Sequence, residues 1–463
     1  MAWTAAHRLL QDRARFDVGY RAEVLSDITQ QPIADALVVL TGPRRVGKSV
    51  ALLDLAAALC ARQDVDPRQV IHLSCDELQA RDLRRAFTLG RDMTRSIDQP
   101  DARPRVWLLD EISAIRGWTA VVKSARDNTV VGNDTIVLSG SRWRADEDVQ
   151  GNLLAGRAGQ GESRRVRHLH PMPFRAYLAA TRPHLALVPA VHPASLQTPA
   201  VAKVLDALRF EVDEYDLAWQ EFLSCGGFPR AVAEHKATGQ VSPGFVRDLI
   251  AWLRADTDPA APAESLPILI ATLCERGTSP LNVRATAAAL GVTRESLTPR
   301  LHRLVASFAA LWCPQRDEVG RSVVGAQSKL YLTDPLLAWL PVHVRAGLPS
   351  PPMTTLTEMT LGACLARSVD LLEEGRWVAG DTIGYARTQS FGEIDLGPVP
   401  VPSPVGPRQT VAIESKWVDA KWRAEAKPIE NKYIGGILAT KSILDLDHPT
   451  WAIPAPLVAL LLE

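Results

Sequence analysis

The stretch Gly42-Pro43-Arg44-Arg45-Val46-Gly47-Lys48-Ser49 constrains this chain more than any other feature. It follows the apolar run Ala36-Leu37-Val38-Val39-Leu40 and opens an amphipathic stretch from Ser49 to Ala61, which gives the order strand, glycine loop, helix. The spacing G-x-x-x-x-G-K-[ST] suits a loop that wraps phosphates. Glycines let the backbone come close, its N–H groups point inward, and the helix N-terminus adds positive potential. Lys48 is expected at the β- and γ-phosphates, and the Ser49 hydroxyl on Mg²⁺. The expected nucleotide-binding set is Gly42, Pro43, Arg44, Arg45, Val46, Gly47, Lys48, Ser49 and Val50.

Further short apolar runs extend this pattern. Val70-Ile71-His72-Leu73, Val106-Trp107-Leu108-Leu109 and Ile136-Val137-Leu138 alternate with helical stretches, which predicts an α/β parallel sheet over roughly 35–145. Asp110 and Glu111 end one of these strands, at the edge that faces a nucleotide in a doubly wound sheet. Asp110 is expected to hold Mg²⁺ and Glu111 to orient the attacking water. The guanine signature Asn-Lys-x-Asp does not occur, since Asn431-Lys432-Tyr433-Ile434 lacks the aspartate, so the expected nucleotide is ATP.

Composition narrows the rest. A length of 463 residues allows about three domains. Lys+Arg and Asp+Glu are 52 each, so the net charge names no partner. No apolar run approaches the 18 or so residues of a membrane span, and the charged start MAWTAAHRLLQDRARF does not resemble a secretory signal. The six cysteines are scattered with no CxxC, against a zinc module or disulfide framework and for reduced thiols, so a cytoplasmic location is expected. The boundaries read from the chain are a helical lead-in over 1–34, a nucleotide-binding core over 35–180, a proline-rich linker over 181–200, helices over 201–260, a middle domain over 261–347 and a last domain over 348–463.

Two later segments carry chemistry. Val283–Leu290 and Arg294–Val305, joined by Gly291-Val292-Thr293, have the helix-turn-helix layout, and Ala310–Leu332 has the look of a β wing. Arg284, Arg294, Arg300 and Arg303 are its candidate DNA contacts. Farther on, Gly392–Leu396 and Val411–Trp417 read as a β-hairpin around the proline-rich loop Pro398–Pro407. Period 2 puts Glu414 and Lys416 on one face, with Asp395 opposite in direction to Ile394 and Leu396. Two carboxylates and a lysine there suit Mg²⁺ or Mn²⁺ that activates water at a phosphodiester, with Asp395 and Glu414 as ligands and Lys416 as charge stabiliser. A solvated, salt-bridged sheet face is the plain alternative.

These residues resemble the prokaryotic AAA+-type P-loop ATPases fused to a C-terminal restriction-endonuclease-like domain. The resemblance rests on Thr41–Ser49, Leu109-Asp110-Glu111, Leu138-Ser139-Gly140-Ser141, Leu154-Ala155-Gly156-Arg157, Pro171–Leu178 and Gly226-Gly227-Phe228-Pro229. Ala176 departs from the glutamate usual in that family. The resemblance implies an α/β P-loop ATPase core with a helical lid, a winged-helix middle domain and a D…ExK nuclease-like fold. It implies Ser139 or Ser141 as a polar sensor of the γ-phosphate, and Arg157 as an arginine finger acting across a homo-oligomer. Arg230 is a weaker sensor, and Glu358 corresponds to the acidic residue on the nuclease fold's first helix. Two readings of function follow. In one, ATP hydrolysis drives DNA binding or remodelling and metal-dependent cleavage; in the other, ATP sets a regulatory switch whose C-terminal fold only binds DNA or protein.

Overall fold

In the computed structural model, the described residues are 7–30, 35–94, 104–128, 131–141, 165–345, 347–387, 392–404, 406–433 and 435–463. The chain forms two compact units, Met1–His170 and Pro171–Glu463.

The first unit starts with helix α1 (Arg8–Arg15), whose Arg13 pairs with Asp54. Strand β1 (Ala36–Thr41) leads through the glycine loop into α2 (Lys48–Ala61). Then follow β2 (Val70–Ser74), α3 (Ala80–Met93), β3 (Val106–Asp110), α4 (Trp118–Asp127), β4 (Thr135–Ser139) and β5 (Val166–His168). The strands form one parallel sheet in the order β2-β3-β4-β1-β5. β3 and β4 are buried along their whole length, which is why they read as unbroken apolar runs rather than as alternation. One side of the sheet packs Leu37, Val39, Trp107, Leu109, Ile136 and Leu138 against Phe87 and Trp118 of the helices. Register places Leu109 beside Leu138 and Leu40 beside Ser139, so β1, β3 and β4 end together at one edge. Sequence patterns predict four of these strands. The fifth, β5, is only three residues long and pairs beside β1.

The second unit begins with α5 (Phe174–Thr181), α6 (Pro199–Ala207), α7 (Val212–Cys225), α8 (Pro229–Thr238), α9 (Pro243–Thr257) and α10 (Ser265–Glu275). Proline opens α6, α8 and α9, at the position where its missing N–H has no intrahelical partner to lose. α11 (Val283–Ala289) and α12 (Arg294–Ala306) follow, then the antiparallel pair β6 (Ala310–Cys313) and β7 (Lys329–Leu332). α13 (Pro335–Val344) leads to α14 (Met353–Leu372), a long helix buried over most of its circumference. The remainder comprises a short pair β8 (Ala386–Arg387) and β9 (Glu393–Ile394), then β10 (Leu396–Val401), β11 (Gln409–Ser415), α15 (Arg423–Glu430), β12 (Gly436–Thr440), β13 (Thr450–Pro454) and α16 (Ala455–Leu462). The last four strands form a sheet in the order β10-β11-β12-β13, antiparallel at β10–β11 and parallel beyond.

Two expectations change here. The proline-rich stretch 182–200 is not a free linker: it makes two single 3-10 turns, Pro183–Leu185 and Pro193–Ser195, and buries Leu185, Val188 and Leu196. Val191 N–H donates to the Leu461 carbonyl at 2.8 Å, which ties it to α16. Pro398–Val401 is strand rather than loop. β10 lies at the sheet edge, where Pro398 and Pro400 remove N–H groups that no outer neighbour needs. The break at 348–352 lies within the compact unit Pro171–Glu463.

Candidate functional site

The glycine loop owes its path to two residues that need glycine. Gly42 has φ +145°, and a Cβ there would meet the Leu169 carbonyl at 2.1 Å. Gly47 has φ +100° and stands at the N-cap of α2, so no side chain satisfies the first-turn N–H groups. Those N–H groups are the donors a phosphate would take. Lys48 is buried at the first turn and donates to the carbonyls of Gly42 at 3.0 Å and Pro43 at 2.8 Å.

A cleft of about 810 Å³ opens at this edge of the sheet, lined by Arg44, Arg45, Gly47, Lys48, Ser49, Val50, Asp110, Glu111 and Ser141. Every predicted residue of the loop from Arg44 onward except Val46 therefore reaches the cleft; Val46 is buried beneath it. Ser139, buried at the end of β4, hydrogen-bonds Asp110 Oδ1 and accepts the Glu111 N–H at 3.2 Å. It thus braces the two acids, while Ser141 is on the cleft wall. Glu111 has φ +52°, a left-handed turn directly after β3. Burial pushes its carboxyl above the ordinary range, against the opposing pull of Lys48. His7, His72, Ser74 and Asp76 also line the cleft and carry no sequence motif. The hydroxyl of Ser49 and the carboxylate of Asp110 are the hard oxygen donors that suit Mg²⁺ beside phosphate. Arg157 lies outside the described residues.

A second constellation forms in the second unit. Glu358 from α14, Asp395 just before β10, Glu414 from β11 and Lys416 after it come together. Lys416 Nζ is 2.7 Å from Glu414 Oε1 and 3.9 Å from Asp395 Oδ2. Sequence reasoning missed their central partner, Lys329 of β7. Its ammonium, in a side chain only 1 % exposed, lies 2.9 Å from Glu358 Oε1, 2.9 Å from Asp395 Oδ1 and 2.7 Å from Glu393 Oε1. Tyr331 donates to Glu358 Oε1 at 2.5 Å, and the Thr278 hydroxyl donates to Oε2. Burial, reinforced by Asp395, raises Glu358 to about 7 and Glu414 to about 8. The available signal was Lys329-Leu330-Tyr331-Leu332, in which two polar side chains share one face of a short apolar strand.

Where Mg²⁺ or Mn²⁺ is expected, Asp395 and Glu414 are met by the ammonium groups of Lys329 and Lys416. Among the described residues no group of three or more His, Cys, Asp or Glu side chains is set to hold a metal ion. Each carboxylate oxygen of Glu358, Asp395 and Glu414 already accepts from a protein donor.

The helix pair divides the four predicted arginines. Arg284 and Arg294 are exposed on α11 and α12. Arg300 instead pairs with Asp258 at 2.8 Å, and Arg303 donates to the Thr257 carbonyl, so both tie α12 to the end of α9. The loop between β6 and β7 is held at its start, where buried Arg316 donates to the Ile383 carbonyl at 2.9 Å and to Asp381 at 2.7 Å, while residues 321–325 are exposed. Arg230 pairs with Glu234 at 2.9 Å and lies over the Phe245 ring.

Comparison with known proteins agrees with the first unit's geometry. Residues 34–178 match the family described as "AAA domain". An uncharacterized protein of Haemophilus influenzae is 24 % identical over 215 residues, 46 % of this chain and 44 % of that protein. An uncharacterized protein of Methanocaldococcus jannaschii is 28 % identical over 177 residues, 38 % of this chain and 34 % of that protein. The chain thus spans less than half the length of either relative. Among solved structures, a Walker-type ATPase of Pyrococcus abyssi aligns with a TM-score of 0.40 at 16 % identity, covering 70 % of this chain and 95 % of that one. The Aeropyrum pernix ORC2 protein aligns at 0.34 and 14 % identity, covering 65 % and 91 %.

Proposed function

We propose that this protein, whose residues 34–178 form an AAA-type ATPase domain, hydrolyses ATP in the cleft of its first unit and uses the nucleotide cycle to control how its second unit engages DNA. The observation that carries the reading is the convergence of Lys48, Ser49, Asp110 and Glu111 on one cleft at the C-terminal edge of a parallel sheet.

The residues divide the work. The loop N–H groups and the start of α2 hold the phosphates, and Lys48 leaves the carbonyls of Gly42 and Pro43 for the β- and γ-oxygens. Ser49 and Asp110 hold Mg²⁺, which when bound neutralises charge between those phosphates. Glu111 accepts a hydrogen bond from the attacking water, and Ser139 keeps it and Asp110 in register. Ser141 senses the γ-phosphate. Arg157, in a homo-oligomer, supplies the transition-state cation from a neighbouring copy.

Support for DNA as partner comes from exposed Arg284 and Arg294 on the helix-turn-helix pair, which suit phosphate or base-edge contact. For the C-terminal fold, the filled cluster around Lys329 favours a binding module over metal-dependent cleavage. The test is ATP hydrolysis by the full chain with single-stranded, duplex, forked and four-way DNA, with Lys48→Ala as blank. Stimulation by one DNA form supports the reading. Turnover that no DNA alters points to a protein-controlled switch, and turnover equal in Lys48→Ala overturns the ATP site.

A further inference from the structure

A buried lysine among carboxylates is costly unless its charge is met, and here it is met from several sides. Lys329 reaches three carboxylates, and each comes from a different part of the second unit: Glu358 on α14, Glu393 on β9 and Asp395 before β10. The ammonium also lies over the Tyr385 ring, 5.3 Å from its centroid. Nothing in the D…ExK pattern of Asp395, Glu414 and Lys416 requires this residue, since Lys416 already stands beside Glu414.

The position is that of a cation shared by acids. A divalent ion and an ammonium both draw on carboxylate oxygens, so a cation that already lies between Glu358 Oε1 and Asp395 Oδ1 competes for the place a metal would take. Here Lys329 takes Glu358 Oε1 and Asp395 Oδ1, the Ser415 N–H takes Asp395 Oδ2, and the Asp395 N–H takes Glu414 Oε2. Tyr331, two residues along the same strand, completes Glu358 from the same side. Strand β7 is itself anchored, because the loop before it is held by Arg316 on Ile383 and Asp381.

We propose that Lys329 is a built-in counter-ion that occupies the cation position of the C-terminal cluster, excludes divalent metal from it, and locks the β6–β7 hairpin to α14 and the β10–β11 sheet. The D…ExK residues of this chain then form a metal-free lock, and a divalent site exists there only when the lysine is removed.

The test is a Mn²⁺ titration of the full chain without nucleotide, with free ion read by electron paramagnetic resonance. Wild type and Asp395→Asn are expected to bind the same number of ions. Lys329→Gln gains one ion per chain, the double variant Lys329→Gln/Asp395→Asn loses it, and Lys329→Arg, which keeps the charge, gains none. Wild type binding an ion that Asp395→Asn removes overturns the proposal, as does folded Lys329→Gln with no gain. If Lys329→Gln fails to fold, the wild-type and Asp395→Asn pair decides alone, because a lock predicts equal binding and a metal centre predicts a loss. Ions bound at Ser49 and Asp110 cancel in that comparison, so the result is independent of the ATP reading.

Discussion

Lys48 turns its ammonium back onto the loop it leaves, donating to the Pro43 carbonyl at 2.8 Å. The cation is therefore kept satisfied and aimed at the concave side of the loop before any phosphate arrives, and binding exchanges carbonyl oxygens for phosphate oxygens. Lys48→Ala is expected to lower kcat/KM for ATP by about 10²–10³-fold, the usual cost of removing one preorganised donor. Its unfolding midpoint should stay within about 2–4 °C of wild type, a change worth about 1 kcal/mol. Steady-state turnover and a thermal scan check both.

Glu111 makes the pH dependence specific. Burial raises its carboxyl above the ordinary 4.5, and only the ionised form accepts the water's proton, so activity is lost as pH falls through that raised value. The acid limb of kcat should lie above 4.5 and vanish in Glu111→Gln, which should still bind ATP while turning over about 10²–10⁴-fold more slowly. Wild-type turnover in that variant would remove Glu111 from the mechanism.

The first unit was legible because its signals are local. A glycine loop, a strand-end Asp110-Glu111 pair and apolar runs each state their own position in a parallel sheet. Ser139 was visible as a polar residue at a strand end, but its turn toward Asp110 rather than into the cleft depends on the β3–β4 register, which no short window encodes. The second cluster was half legible. Asp395, Glu414 and Lys416 are near in sequence, whereas Lys329 is 66 residues from Asp395 and enters only because the hairpin docks. The packing of 182–200 was hidden for a related reason: prolines that break periodicity can also start 3-10 turns that pack.

The lock around Lys329 predicts unequal lysines. Lys329→Met strands buried carboxylates and should cost about 3–5 kcal/mol of unfolding free energy. Lys416 is 36 % exposed and its partner Glu414 only 1 %, so Lys416→Met should cost less than Lys329→Met, because water reaches one side of that pair. The acids add a pH slope. Glu414 at about 8 and Glu358 at about 7 in the fold, against 4.5 when exposed, contribute stability that is full below 4.5 and lost as pH rises through the folded values. Urea unfolding across that window should show stability falling with pH, with a shallower fall in Glu414→Gln.

DNA contact should divide the four arginines as their partners do. Arg284→Ala and Arg294→Ala, exposed, should weaken duplex binding and each reduce the salt slope by about 0.9, with stability unchanged. Arg300→Ala, which loses its pair with Asp258, should leave the slope intact and lower stability instead. Fluorescence anisotropy over a salt series, beside a thermal scan, separates the two outcomes.

Gly226-Gly227-Phe228-Pro229 is one of the stretches that carry the family resemblance, and its geometry is that of packing. Gly227 N–H donates to Asp334 Oδ2 at 2.8 Å, and its carbonyl accepts from Met172 N at 2.6 Å. A Cβ at Gly227 would meet the Met172 carbonyl at 2.1 Å, backbone against backbone, where no side chain can swing away. Gly227→Ala should therefore cost more than about 3 kcal/mol, beyond the range of ordinary overpacking. Gly239 is the control, with φ +76° and open space within 4 Å of where a Cβ would stand. Gly239→Ala then carries only the left-handed penalty of about 1–2 kcal/mol. Gly227 does not have a left-handed φ, so equal losses in the two variants, measured by urea unfolding, would show that the backbone at Met172 yields to a Cβ and that the contact does not make glycine necessary at 227.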